Sequence, residues 1–265
     1  MEATARLVAH MKKPRVLVIR APGTNCDAET AYAFEVAGAD CDLVHITRLA
    51  EGEPRLDRFQ VFVIPGGFSY GDDLGAGKVQ ANELELRLRD QLVPFIERGG
   101  LVLGICNGFQ VLVRAGLLPV PFSGQRVSLL PNTSGKYECR WVHLRSAPGN
   151  PCVFTRGIER IDLAVGHGEG RLFVPAEAES DIVPVLYYCG PDGRPAGYPY
   201  NPNGSYHDIA GLTDASGRVL GLMPHPDRFT RASQHPNWTG RGNPDAAGDG
   251  LRFFTNAVQH AKDIG

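Results

Sequence analysis

Short aliphatic runs, each ended by glycine, proline or polar residues, set the pattern of the N-terminal half. Val16 to Ile19, Leu43 to Ile46, Val61 to Ile64 and Leu101 to Ile105 are strand-length and apolar on both faces, as strands buried in a parallel sheet are. Between them, Asp27 to Ala37 and Asn82 to Glu97 read as helices, the second with Leu84, Leu88, Leu92 and Ile96 spaced along one face. Alternating strand and helix predict an α/β fold with an open, mostly parallel sheet and helices on both faces. From about Val120 to Tyr200 the pattern changes. Strand-like pieces at Arg140 to Leu144, Ile161 to Val165 and Val183 to Tyr188, separated by Pro/Gly-rich turns, predict a β-rich insertion or flank on the same domain. The α/β pattern returns at Val219 to Met223 and ends in an amphipathic helix near Ala247 to Ala261, after a loop over Gln234 to Gly248 rich in Gly, Pro and Asn.

With 265 residues and 43% hydrophobic content, the chain is long enough to bury a full core. A net charge of -2 supplies no basic field for nucleic acid or an anionic membrane, which leaves a small polar substrate or a protein partner. The six cysteines (Cys26, Cys41, Cys106, Cys139, Cys152, Cys189) lack CxxC spacing. That argues against a zinc knuckle or a disulfide frame, so no metal is expected and a reducing, cytoplasmic setting is. No apolar run approaches the ~20 residues of a membrane span. Residues 1–13 mix charges with a short apolar patch unlike a secretory leader and read as an N-terminal extension, leaving 14–265 as one domain.

The strongest chemical signal is Leu101-Val-Leu-Gly-Ile-Cys106-Asn-Gly-Phe-Gln-Val-Leu-Val113, an apolar strand running into Cys106 with a helical pattern immediately after. Gly104 and Gly108 remove the Cβ atoms that crowd such a tight turn and lift the central side chain clear of the backbone. At the start of a helix, free backbone N–H groups stabilise negative charge, on the sulfur or on an oxyanion formed beside it, and the N–H of Asn107 is one of them. The other five cysteines read as buried structural residues.

A thiol nucleophile needs a base, and the base an orienting group. His225 and Asp227 fit: Pro224 and Pro226 prevent a helix, so the segment is expected to be extended, with residues two apart on one side. His167 and Glu169 have the same spacing after a similar apolar run, and periodicity does not choose between the two dyads. Gly66 and Gly67 after Val61 to Ile64 let backbone N–H groups approach a ligand. Gln110 lies one helical turn beyond Cys106, on its face. Gly75-Ala-Gly-Lys78 is not a phosphate loop, since Asp72 and Val79 stand where that pattern needs Gly and Ser or Thr. Three glycosylation sequons, at Asn132, Asn203 and Asn237, are without meaning in the cytosol.

Six segments together resemble the glutaminase component of phosphoribosylformylglycinamidine synthase, within the class I glutamine amidotransferases. They are Ala21-Pro-Gly-Thr-Asn-Cys-Asp27, Pro65-Gly-Gly-Phe-Ser-Tyr-Gly-Asp72, Gly104-Ile-Cys-Asn-Gly-Phe-Gln110, Gly166-His-Gly-Glu-Gly170, Asn201-Pro-Asn-Gly-Ser205 and Met223-Pro-His-Pro-Asp227. The resemblance covers Arg15 to the C-terminus and implies a flavodoxin-like sheet. It makes Cys106 the nucleophile, His225 its base and Asp227 the orienting acid, and it implies oxyanion donors at Gly67 and Asn107. Glutamine would be bound by Phe68, Gln110, His167, Gly168 and Glu169. Asp227 departs from the family's usual glutamate by one methylene, which predicts a backbone shift or a weaker bond to the imidazole. Around Leu74 to Gly77 and Asn132 to Arg140 the chain is similar to the long fused form of the enzyme.

The implied reaction is hydrolysis of L-glutamine through a cysteinyl thioester, with ammonia delivered to a synthetase subunit, with or without a small accessory subunit. The chain itself would need no cofactor; ATP and magnesium would be used by the synthetase. Two other readings predict different behaviour. A cysteine peptidase or deglycase-like hydrolase on a similar sheet would ignore glutamine, and a non-catalytic regulatory subunit would bind its partner without forming a thioester.

Overall fold

Among the described residues, nine strands form one mixed sheet whose parallel half carries the ends that matter. The computed structural model describes residues 13–240 and 242–264, so the expected extension, Lys13 apart, lies outside the described residues. The elements run β1 (Arg15–Arg20), α1 (Asp27–Val36), β2 (Asp40–His45), α2 (Ile46–Ala50), β3 (Val61–Ile64), α3 (Lys78–Glu83), α4 (Arg89–Glu97), β4 (Leu101–Ile105) and α5 (Asn107–Arg114). There follow β5 (Ser128–Pro131), β6 (Glu138–Ser146), β7 (Arg160–His167), β8 (Glu169–Phe173), β9 (Val183–Cys189), β10 (Ile209–Thr213), β11 (Val219–Leu222) and α6 (Leu251–Ile264). The sheet order is β2-β1-β3-β4-β11-β10-β9-β6-β7, with β5 and β8 paired separately. Strands β2, β1, β3, β4 and β11 are parallel; β10, β9, β6 and β7 continue the sheet antiparallel.

The β-rich stretch is therefore a flank of the main sheet, with only the β5–β8 pair set apart from it. Its last strand returns to the parallel half: the N–H of His225, just past β11, donates to the carbonyl of Ala164 in β7 at 2.8 Å. Both faces of β3, β4 and β11 are buried, which explains why these runs are apolar throughout. α1 and α6 pack together through Phe34 edge-on to Phe254, ring centroids 4.9 Å apart.

Several boundaries differ from expectation for local reasons. β2 stops at His45 because its imidazole caps α2, accepting from the Thr47 N–H at 3.3 Å, so Ile46 opens a helix. The helix predicted from Asn82 begins at Lys78 and passes through a π-turn at Leu84–Leu88. The C-terminal helix starts at Leu251, four residues late. Residues 247–250 instead pack against the Pro226–Arg231 backbone, where a Cβ on Gly250 would lie 2.3 Å from the Pro226 carbonyl oxygen. β5, β8 and β10 had no distinct signal, being short or read as part of the turn-rich stretch.

Glycine lets α5 sit down on the sheet. A Cβ on Gly108 would lie 1.9 Å from the Ile64 carbonyl oxygen, one on Gly104 2.6 Å from the Gly108 carbonyl, and one on Gly221 2.1 Å from the Phe109 ring. We expect Gly108→Ala to cost at least about 2 kcal/mol in urea unfolding, because the obstacle is backbone and cannot rotate away. Gly197→Ala, where a Cβ meets nothing within 4 Å, is the control and should change stability by less than about 1 kcal/mol. Equal effects at the two positions would contradict this account of the packing.

Candidate active site

Three adjacent strands end side by side. Ile64 of β3 stands opposite Gly104, and Ile105 of β4 opposite Leu222 of β11, so the residues that follow them, Gly67, Cys106 and His225, emerge at one edge of the sheet. Ligand sites of open α/β sheets form at such carboxyl edges.

Cys106 occupies the turn between β4 and α5 at φ 52, ψ -105, a conformation that costs a non-glycine residue about 1–3 kcal/mol. Packing holds it there: its N–H donates to the Leu222 carbonyl at 2.8 Å, and its carbonyl accepts from Phe109 and Gln110. The sulfur is almost fully buried and lies 3.7 Å from the Gly166 carbonyl of β7. Among the described residues, the backbone N–H groups of Asn107 and Gly67 donate to no protein acceptor. Gly67 needs its missing side chain, since at φ 150 a Cβ would lie 2.8 Å from the Gly23 carbonyl oxygen.

His225 and Asp227 are both buried, and Nδ1 lies 3.3 and 3.4 Å from the two carboxylate oxygens. The segment is not extended as expected. His225 itself is extended, but Pro226–Arg228 forms a 3-10 turn with the proline at its start, and that turn brings the carboxylate back under the ring. The contact is longer than an ordinary charged hydrogen bond of about 2.7–2.9 Å, consistent with the short Asp227 side chain. Burial by itself lowers the pKa of His225, but the Asp227 carboxylate and the adjacent Cys106 sulfur outweigh it and raise the ring to about 9. Among the described residues no hydrogen bond of normal geometry reaches its Nε2, which leaves that nitrogen to the sulfur.

The competing dyad has the opposite chemistry. His167 folds over Gly170, and its Nε2 accepts from Asn203 Nδ2 at 3.0 Å. Glu169 turns away toward Arg114, 4.0 Å off. With no carboxylate beside it, burial and the positive field of His225 lower the His167 ring to about 3, so it stays neutral. Geometry thus separates two pairs that spacing left equivalent.

The remaining expected contacts form a connected support. Gln110 Nε2 donates to the Glu169 carbonyl at 2.5 Å, and its Oε1 accepts from Asn107 Nδ2 at 2.9 Å. The Asn107 side chain also ties down the Gly67 loop, accepting from the Ser69 N–H at 3.1 Å and donating to Asp72 at 3.3 Å. Burial pushes the Asp72 carboxyl above its usual range. Phe68 is half exposed at the rim, its ring 6.5 Å from that of Tyr137. The Gly168 carbonyl accepts from the Asn132 N–H at 2.9 Å, and Asn132 Nδ2 donates to the His167 carbonyl at 2.8 Å.

Sequence reasoning missed this bracing. Asn132 and Asn203, noticed only as sequons, are buried and hydrogen-bonded around the His167–Gly170 turn. The Asn201–Ser205 landmark marked the segment without indicating what it holds. Cys26 was read as structural, and it is buried and free, but it lies against the His225–Asp227 pair. Cys139, exposed on β6, and Cys41, half-buried on β2, depart from that reading.

Residues 13–261 match the model of the CobB/CobQ-like glutamine amidotransferase domain. A protein of Dehalococcoides mccartyi named phosphoribosylformylglycinamidine synthase subunit PurQ is 52% identical over 256 residues, covering 96% of this chain and 100% of that protein. One of the same name from Methanococcus maripaludis strain C7 is 42% identical, covering 93% and 97%. Among solved structures, a chain of PurLQS from Thermotoga maritima superposes with a TM-score of 0.72 at 34% identity, covering 94% of this chain and 99% of that one. The chain belongs to the glutamine amidotransferase family, among the phosphoribosylformylglycinamidine synthase subunits PurQ.

Proposed function

We propose that the chain is the glutaminase subunit of phosphoribosylformylglycinamidine synthase, acting in purine biosynthesis. The observation that carries the chemistry is Cys106 held in a strained turn beside a carboxylate-paired imidazole, with the N–H groups of Asn107, its chain neighbour, and of Gly67, past the neighbouring strand end, without an acceptor among the described residues. In this reading the Cys106 sulfur attacks the side-chain carboxamide carbon of L-glutamine. The carbonyl becomes an oxyanion facing the N–H groups of Gly67 and Asn107, where fixed dipoles stabilise it without reorganising. His225 gives a proton to the departing nitrogen, ammonia leaves, and a thioester remains. Water deprotonated by His225 then adds to that carbonyl, the C–S bond breaks, and glutamate departs. Asp227 holds the ring with Nδ1 protonated, so that Nε2 faces the sulfur.

Phe68, Gln110, His167, Gly168 and Glu169 would form the wall that holds glutamine. Residues 14–265 act as one amidotransferase domain. Nothing in this chemistry calls for a cofactor in the chain; ATP and magnesium are assigned to the synthetase, which uses the ammonia on formylglycinamide ribonucleotide. That partner is supported by the solved relative, which is a PurLQS assembly. Among the described residues no helix is long and apolar enough to cross a membrane, and we place the protein in the cytoplasm.

Two outcomes test the proposal. Cys106→Ala should lower glutamate release by a factor on the order of 10⁴ or more, with and without co-expressed synthetase, while the chain still binds the synthetase. Retained hydrolysis would exclude Cys106 as nucleophile. The second concerns pH. A histidine whose folded pKa is raised from 6.5 to about 9 stabilises the fold fully below pH 6.5 and loses that contribution as pH rises to about 9. In Asp227→Asn the largest cause that raises the ring is removed, so most of the upward shift, and with it the stabilisation present below pH 6.5, is lost. Urea unfolding at pH 6 and pH 9.5 should show the gap between the two proteins narrowing at the higher pH by on the order of 2–3 kcal/mol. A gap independent of pH would mean that Asp227 does not charge the ring.

A further inference from the structure

Cys26, the residue before α1, lies close to the His225–Asp227 pair. One donor atom each from Cys26, His225 and Asp227 lie within 4.8 Å of one another, and all three residues are buried. No step of the glutaminase chemistry uses the Cys26 sulfur. Its surroundings bring it close to the ring: a Cβ on Gly66 would lie 3.1 Å from the sulfur and 2.8 Å from His225 Cε1, so the two occupy one crevice beneath that glycine.

We propose that Cys26, His225 and Asp227 form an inhibitory site for a thiophilic divalent cation of the zinc type. Four features support it. Thiol, imidazole and carboxylate are the donors that zinc prefers. The Nδ1 to carboxylate separations of 3.3 and 3.4 Å are long for a hydrogen bond but match the edge of a zinc tetrahedron, about 3.3–3.4 Å for N and O ligands at about 2.0–2.1 Å. Asp227 Oδ1 is buried and, among the described residues, has no hydrogen-bond partner, a lone pair that the resting structure leaves unused. The fourth feature is the route in. Arg228 covers the cluster with its Nη2 3.2 Å from the Cys26 sulfur, and its side chain is 38% exposed, with Glu29 3.3 Å from its Nε as an alternative anchor. The guanidinium can swing outward on that anchor and admit the ion, and its positive charge keeps the affinity moderate.

Binding would be a proton exchange without redox change. The ion displaces the thiol proton of Cys26 and the proton on Nδ1 to solvent, and water completes its coordination. The remaining ring proton then resides on Nε2, the nitrogen facing Cys106. With the ion on Nδ1, giving up the Nε2 proton would leave an imidazolate, so the ring can no longer pass a proton to the departing nitrogen and then take one from water, and hydrolysis stops although Cys106 itself carries no metal.

The inhibition half of the proposal rests on the glutaminase reading; the binding half does not, and the experiment separates them. The full-length protein is titrated with Co²⁺ and followed by the sulfur-to-cobalt charge-transfer absorption, and in parallel glutamate release is measured against Zn²⁺. The proteins are wild type, Cys26→Ala, Cys26→Ser and Cys106→Ala, each checked for native circular dichroism. One Co²⁺ per chain with the absorption band is expected in wild type and in Cys106→Ala. A drop in affinity of at least tenfold is expected in both Cys26 variants, which should keep glutaminase activity without zinc and need at least tenfold more Zn²⁺ for half inhibition. A band that survives Cys26→Ala and vanishes in Cys106→Ala would put the ion on the nucleophile and overturn the proposal, as would absence of stoichiometric binding in wild type. Binding as expected in a chain with no glutaminase activity would leave the metal site standing and remove the proposed function.

Discussion

The contact between Gly108 and the Ile64 carbonyl is the constraint on which the site depends. It lets the first turn of α5 rest on the end of β3, which fixes where the β4–α5 turn must lie and forces Cys106 into a left-handed conformation. A residue with φ near 52 is tolerated only when its neighbours over-determine it. Here Gly104 and Gly221 complete the enclosure: adjacent in register on β4 and β11, they leave room for Leu112 and for the Phe109 ring. The strain at the cysteine is thus sustained by close packing, where a methyl group cannot be added without moving backbone.

The same edge of the sheet carries two buried histidines of different electrostatic character. Both rings are removed from water, and burial opposes their charged form equally in kind. What separates them is the carboxylate. Pro226 starts a tight turn that returns Asp227 to His225, whereas the chain reversal after β7 sends Glu169 outward and leaves His167 with the Asn203 amide as partner. The consequence is one ring raised to about 9 and another lowered to about 3 on the same edge of the sheet. His167 is thus neutral and braced by Asn132 and Asn203, while the His225 ring, beside the Cys106 sulfur, is charged by its acid.

How much of this was legible in the sequence depends on the range of the interaction. The elbow was readable because its requirements are local: an apolar run, two glycines and a helical pattern within thirteen residues. β3 and β4 were readable to the residue for the same reason. The antiparallel half was visible as β-rich, but not as a continuation of the main sheet, because pairing between β9 and β10 or β6 and β7 leaves no mark in either strand alone. The extended reading of Pro224 to Asp227 failed because proline excludes a long helix and still favours the first position of a short 3-10 turn. Asn107 shows the limit most clearly. Its backbone amide followed from helix geometry, but the reach of its side chain to Ser69, Asp72 and Gln110 spans up to 38 residues of sequence and is a property of the folded chain.

Asp227 draws these points together. With glutamate at this position, the extra methylene would let the carboxylate approach Nδ1 at ordinary hydrogen-bond length from the same turn. With aspartate, the turn brings the carboxylate under the ring, and a separation of 3.3 to 3.4 Å remains with one oxygen unpaired. In a buried, low-dielectric crevice the charge still acts across that gap, because attraction between ions falls off slowly with distance while a hydrogen bond weakens steeply. The shorter acid can therefore keep the ring charged while holding its orientation less firmly. Orientation must then come from elsewhere, and the backbone supplies part of it: the bond from the His225 N–H to Ala164 fixes the residue's base against β7, independently of the acid. The long contact between acid and ring is thus accompanied by a strand pairing outside the parallel sheet, through which the antiparallel flank helps to position His225.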